Sequence, residues 1–261
     1  MRTPTKEHYY PKWLIKLTGA TGVRMKVNGV TKWVHPNSTT IPLCEACNQR
    51  LGSDLESPVK SAFADIEAGL GISDREAELL IRWLWKFETW NWLMTFGNPE
   101  GYNRTATPIE RLTGSTFHKV RGYVTLSIGM CVGDKYIHAD GKDHGMPLGL
   151  DTPTTLYDAD CVIGVFNRLA LGVSLRCFDQ FLPRSMQRFH LLTVGSVSDR
   201  DKKTIFPMWV CSSPNALVDS VLTAATPLKL KHEEWAQKTM RYQAGLPRLI
   251  RPSLILPSRY Q

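Results

Sequence analysis

Between Ser73 and Thr95 the chain reads SDREAELLIRWLWKFETWNWLMT, and no other stretch restricts the fold so tightly. Leu80, Trp83, Leu84, Phe87, Asn91 and Leu93 or Met94 recur at helical spacing, which predicts an α-helix. Ser73 and Glu76 fit a capping box, in which each side chain accepts from an otherwise unpaired backbone N–H. Trp85, Trp90 and Trp92 extend the apolar surface almost all round. Such a helix needs neighbours on several sides and belongs at the centre of a fold. Its tryptophans are read as core packing rather than as a platform for bases. Arg82, Lys86 and Glu88 interrupt the run. It therefore does not read as a membrane span, which takes about 20 mostly apolar residues.

The rest of the chain supplies those neighbours. A hydrophobic fraction of 43% with 21% charged residues is globular in character and excludes a disordered chain. An extended segment ending near His8 is followed by a short helix after Pro11. Residues 23–34 alternate up to Asn28-Gly29, a dipeptide suited to a tight hairpin turn. Residues 35–43 read as a loop and short extended segment, and 44–56 as the entry to a helix that Gly52 weakens. Pro58 can open a further helix over about 59–70.

Residues 97–118 read as a connection. Beyond it, 120–133, 161–175, 188–197 and 204–211 are β-branched or aromatic runs that predict strands, with 169–175 ambiguous with helix. Residues 232–244 predict a polar-faced helix, and 246–261 a basic, proline-containing tail. The expected fold class is α+β. Its parts are a unit over 1–96, the connection 97–118, a strand-rich region over 119–245 and the tail.

Lys and Arg outnumber Asp and Glu by 32 to 24, giving a net charge of +8. That balance favours polyanionic partners through long-range attraction and says nothing about fold. The N-terminus lacks the apolar core of a secretory signal. Six cysteines are too sparse for a disulfide scaffold, and Cys131, Cys161, Cys177 and Cys211 stand alone. A reducing, cytoplasmic setting without membrane attachment is expected.

The residues suited to chemistry are Glu7-His8 and Cys44-x-x-Cys47-Asn48. A histidine at a strand end, then a polar loop and a helix, is the skeleton of a one-metal phosphodiesterase site. Hydrolysis of a phosphodiester needs a base to deprotonate water, and a neutral imidazole has a suitable pKa. It also needs a divalent cation to neutralise the transition state and the leaving oxygen.

The ordered set T-K-E-H-x-x-P-x-W-L, then L-C-E-x-C-N and L-E, with Trp83-x-x-Lys86 farther on, resembles the degenerate branch of the HNH endonucleases over roughly residues 5–95. The resemblance implies a ββα-metal-like unit, here with the 23–34 hairpin inserted. It assigns His8 as general base, Glu7 and Asn48 as metal ligands, and Asn37 as the residue that orients the base. Mg2+ or Mn2+ would be the cofactor and DNA the partner.

Family members with C-x-x-C usually carry a second such pair upstream, and the four sulfurs bind a structural zinc. Here only residues 1–7 precede His8, and none is Cys. Cys44 and Cys47 therefore supply two of the four ligands that tetrahedral zinc requires. Three explanations stand: the zinc site is lost, the reading frame begins farther upstream, or His35 or a distant cysteine completes it. Loss is favoured, so structural Zn2+ is not expected.

A second cluster, His138-Ala-Asp140-Gly-Lys142-Asp143-His144, could bind a metal but has the composition of an exposed turn between strands. The leading expectation is a metal-dependent HNH-type endonuclease. The alternative is a nuclease-derived protein that holds nucleic acid, or binds and inhibits a protein or nuclease complex, without cutting. An unrelated enzyme built on 138–144 is third.

Overall fold

The computed structural model describes residues 4–20, 34–96, 121–138, 141–151, 162–175, 186–190 and 209–225. The expected hairpin over 23–34 (Val34 apart), the connection 97–118, the helix over 232–244 and the tail 246–261 lie outside the described residues. The fold is mixed helix and sheet, with two separate sheets among the described residues.

The first sheet is a pair. Strand β1 (Thr5–His8) runs antiparallel to β2 (Thr40–Leu43), with Thr5 opposite Leu43 and His8 opposite Thr40. Between them lies helix α1 (Lys12–Thr18), which begins directly after Pro11 and ends on the left-handed Gly19.

After β2 the chain enters α2 (Glu45–Leu51). The sequence suggests a helix entry over 44–56, weakened by Gly52, and a separate helix opening near Pro58. Instead α2 continues through one wide turn (Gly52–Glu56) into α3 (Ser57–Glu67) as a single rod. Gly52 holds ordinary helical angles, φ −62° and ψ −49°. The buried Leu51, Leu55 and Val59 explain why. Their packing outweighs the penalty of about 1 kcal/mol that a helical glycine carries. The rod ends in a Schellman motif on Gly69 (φ +76°), where the Leu70 N–H donates to the Asp65 carbonyl at 2.8 Å.

Helix α4 (Asp74–Phe96) is the expected central helix. Its capping box is formed: the Ser73 N–H donates to Glu76 Oε2 at 2.7 Å and the Glu76 N–H to Ser73 Oγ at 3.3 Å. Every residue from Leu79 to Trp90 is buried.

Among the described residues the second sheet has six strands, β3 (Val124–Cys131), β4 (Leu148–Asp151), β5 (Val162–Phe166), β6 (Leu169–Leu175), β7 (Gln187–His190) and β8 (Trp209–Cys211). Their order is β4-β5-β6-β3-β7. The outer edge of β3 is shared: β7 pairs antiparallel along Thr125–Ile128, and β8 pairs parallel along Gly129–Cys131. Residues 162–175 form a tight antiparallel hairpin of two strands. It turns on Asn167 (φ +57°), whose N–H donates to the Pro147 carbonyl at 2.8 Å. Residues 169–175 are strand. Strand β4 and helix α5 (Pro214–Ala225) were not anticipated.

Strand alternation sorts the side chains between two layers. Val124, Leu126, Ile128, Val162, Phe166, Leu169, Leu171 and Val173 join Trp83, Leu84 and Phe87 of α4 in one hydrophobic cluster, which also takes in Tyr9, Tyr10, Leu14 and Phe63. The alternate positions Ile163, Val165, Ala170 and Cys131 face Leu217 and Val221 of α5. The main core thus runs without a break from the β1–β2 pair through α4 to the large sheet. Trp83 sits in the middle, its ring 4.8 Å from Phe87 and 5.1 Å from Phe166.

Candidate functional site

The β1–β2 pair feeds α2 through Cys44. Cys44 is extended, and its sulfur accepts from the Cys47 N–H at 3.1 Å, so it caps the helix. The Cys44 and Cys47 sulfurs lie against each other in a disulfide arrangement, with the Cα atoms 5.2 Å apart. One turn on, Asn48 points back to the sheet, and its Nδ2 donates to Thr5 Oγ1 at 3.1 Å. Thr5 and Glu7 share a face of β1, so the Asn48 amide and the Glu7 carboxylate lie on the same side of the pair. The Asn48 amide oxygen and Glu7 Oε2 have no hydrogen-bond partner among the described residues.

His8 is the last residue of β1 and leaves the opposite face from Glu7. It is half-buried. Burial first, then the charge of Lys12, hold its pKa below the usual 6.5; Glu7 pulls the other way and Lys86 adds to the depression. The imidazole is therefore neutral at neutral pH. No hydrogen bond joins it to Glu7 or Asn48. Asn37 lies in a short 3-10 turn (Pro36–Ser38), exposed, with no side-chain hydrogen bond among the described residues. That turn packs beside β1, and the Tyr9 N–H donates to the Thr39 carbonyl at 2.9 Å.

Behind Glu7 lies a buried polar network to which the sequence reading gave no role. Lys86, with no exposed surface, donates to Glu7 Oε1 at 2.6 Å and to Glu56 Oε1 at 2.5 Å. Trp83 Nε1 donates to Glu56 Oε1 at 3.1 Å and Trp13 Nε1 to Glu56 Oε2 at 3.0 Å. Burial opposes the ammonium charge, but Glu56 and then Glu7 outweigh it and raise the Lys86 pKa above 10.5. Glu56 closes the wide turn between α2 and α3, and Lys86 sits midway along α4. The Leu-Glu pair and the Trp-x-x-Lys step were legible as motif letters. Their meeting across 30 residues, and the reach of Lys86 to Glu7 across 79, were not.

Of the 138–144 cluster, His138 and residues 141–144 are described and lie between β3 and β4, whereas Asp140 lies outside the described residues. The His138 N–H donates to the Lys142 carbonyl at 3.1 Å and the Gly141 N–H to the His138 carbonyl at 2.9 Å. The His138 and His144 rings are 5.4 Å apart, and His138 Nε2 lies 3.3 Å from the Gly145 carbonyl oxygen. Among the described residues no group of three or more His, Cys, Asp or Glu side chains is placed to hold a metal ion, here or at Cys44 and Cys47. No helix among the described residues is long and apolar enough to cross a membrane. Comparisons with protein-family models, with curated proteins and with solved structures gave no match.

Proposed function

We propose that this chain is a metal-dependent phosphodiester hydrolase of the HNH type acting on DNA. The observation that carries the reading is the succession of β1, β2 and Cys44-capped α2, with Asn48 turned back onto the strand that bears Glu7 and His8. A half-buried imidazole kept neutral by its surroundings can take a proton from water. Glu7 and Asn48 each keep one oxygen without a partner among the described residues. One carboxylate and one amide oxygen fit Mg2+ or Mn2+, which are commonly held by one or two protein oxygens, with waters and substrate phosphates completing the shell. When bound, such an ion supplies charge neutralisation at the phosphate and at the leaving oxygen. Lys6, Lys12 and Lys16 are exposed around the pair, in keeping with a polyanionic substrate.

A second reading is favoured by two observations. Lys86 already engages Glu7, and Glu7 and His8 leave opposite faces of β1. These support a nuclease-derived protein that holds nucleic acid or a protein partner without cutting.

One experiment separates the readings. Purified protein is incubated with plasmid and Mg2+ or Mn2+, and binding is followed across a salt series. Under the nuclease reading, cutting is metal-dependent and falls by about 2–4 orders of magnitude in His8→Ala. Salt-sensitive binding without cutting favours the nucleic-acid holder. Neither cutting nor binding leaves a protein partner as the best account.

A further inference from the structure

We propose that Glu56 and Lys86 form a charge-balancing pair that sets how much negative charge Glu7 presents to a divalent cation, which makes both of them positioning residues. This rests on the nuclease reading of Glu7. Lys86 is wholly buried and divides its ammonium between two carboxylates, Glu7 Oε1 at 2.6 Å and Glu56 Oε1 at 2.5 Å. The two carboxylates differ in what is left over. Both oxygens of Glu56 are used, Oε1 by Lys86 and Trp83 and Oε2 by Trp13, so its charge is fixed in place and turned inward. Glu7 has only Oε1 engaged, and Oε2 is without a partner among the described residues.

The three groups together carry one net negative charge, and Glu7 is the member with an oxygen to spare. Lys86 alone beside Glu7 would cancel its charge and leave little to attract a cation. Glu56, drawing on the same ammonium, restores it. Two indole N–H groups hold Glu56 in that role from α1 and α4. A salt bridge needed only for folding would not require this division, since one carboxylate suffices to satisfy one buried ammonium in charge.

The pair is tested by the order of Mn2+ affinities, measured by isothermal titration calorimetry without DNA. Glu56→Gln keeps an acceptor for the indoles and leaves Lys86 to neutralise Glu7, so Mn2+ should bind roughly tenfold more weakly from the lost charge alone. The double variant Glu56→Gln/Lys86→Met removes one charge of each sign and should return to near the wild-type affinity. Lys86→Met alone, where it folds, should bind Mn2+ more tightly than wild type.

Restored affinity in the double variant is the supporting result, because a merely structural network would leave the double variant as the weakest binder. Equal affinity in wild type and Glu56→Gln, or a double variant no better than Glu56→Gln, overturns the proposal and leaves the nuclease reading standing. Wild-type protein that binds no Mn2+ overturns both.

Discussion

The two halves of the core are built on opposite terms. Around the β1–β2 pair and α4 the protein buries Glu56, Arg82, Lys86 and Glu88. In the large sheet the buried polar residues among those described are Thr125, Ser127, Asn167 and Ser174, none of them charged. Taking an ammonium and two carboxylates out of water costs several kcal/mol per ion before their attraction repays it, and apolar side chains of similar volume often do as well. A fold whose other half packs without buried charge has no packing need for such a network. Its position directly behind Glu7 is the simplest reason for it. The sheet, layered between α4 and α5, acts as the support that holds α4, and so Lys86, in place.

The largest effect should come from the residue that joins the halves. Trp83 packs on Phe166 of the sheet and hydrogen-bonds to Glu56, so Trp83→Ala should cost about 3–5 kcal/mol in denaturant unfolding. A loss below about 1 kcal/mol would mean that the halves are stable separately and that the indole is no keystone.

A smaller effect is expected at the seam between α1 and the β3–β4 loop. Gly145 has φ +106°, and a Cβ there would meet the Thr18 carbonyl oxygen, which accepts from the Met146 N–H at 2.7 Å. Gly145→Ala should destabilise by about 1–3 kcal/mol, with the Met146 amide losing hydrogen-exchange protection. Unchanged exchange at Met146 would show that the loop does not dock on α1.

The smallest effect concerns pH. Burial raises Tyr9 and Tyr10 above their usual 10.0, and the carboxylates raise Lys86 despite its burial. In the sheet, burial and the neighbouring Cys211 push Cys131 from 9.0 up to about 11. A group whose folded pKa is raised contributes stability that is complete below its unfolded pKa and is lost as pH rises through the folded value. Stability should therefore start to fall near pH 9 from the sheet and more steeply above pH 10 from the N-terminal half. Cys131→Ala should flatten only the first part of a Tm-against-pH curve. A flat curve to pH 11 in the wild type would contradict the burial of these groups.

The two halves also differed in how far the sequence could be read. The capping box at Ser73 and Glu76, the strand ending at His8 and the short helix after Pro11 are local signals, and all three are in the structure. The helix entry over 44–56 is in the structure, but its unbroken run into α3 was not legible, because burial of Leu51 and Leu55 overrides the local penalty at Gly52. The hairpin turn was missed because Asn167-Arg168 is not one of the usual glycine turn pairs; the left-handed turn is fixed by contact with Pro147 and by Asn167 donating to Glu67. Helix α5 had a readable start, with Ser213 before Pro214 and its Oγ accepting from the Asn215 N–H at 3.2 Å. The meeting of Glu7, Glu56 and Lys86 had no readable signal beyond the Leu-Glu and Trp-x-x-Lys letters, since nothing in the sequence says which helix crosses behind which strand. Cys131 and Cys211 looked isolated for the same reason, yet stand opposite each other on β3 and β8.

The central claim is the proposed one: Glu7 and Asn48 hold a divalent cation on the β1–β2–α2 unit, close to the proposed base His8. Paramagnetic broadening by Mn2+, read in NMR spectra of the free protein, tests it most directly. Substoichiometric Mn2+ should erase the His8 ring signals and the Asn48 side-chain amide signals while the rings of His138 and His144 stay sharp. Sharp His8 and Asn48 signals at a full equivalent of Mn2+, or broadening confined to the 138–144 turn, would contradict the account.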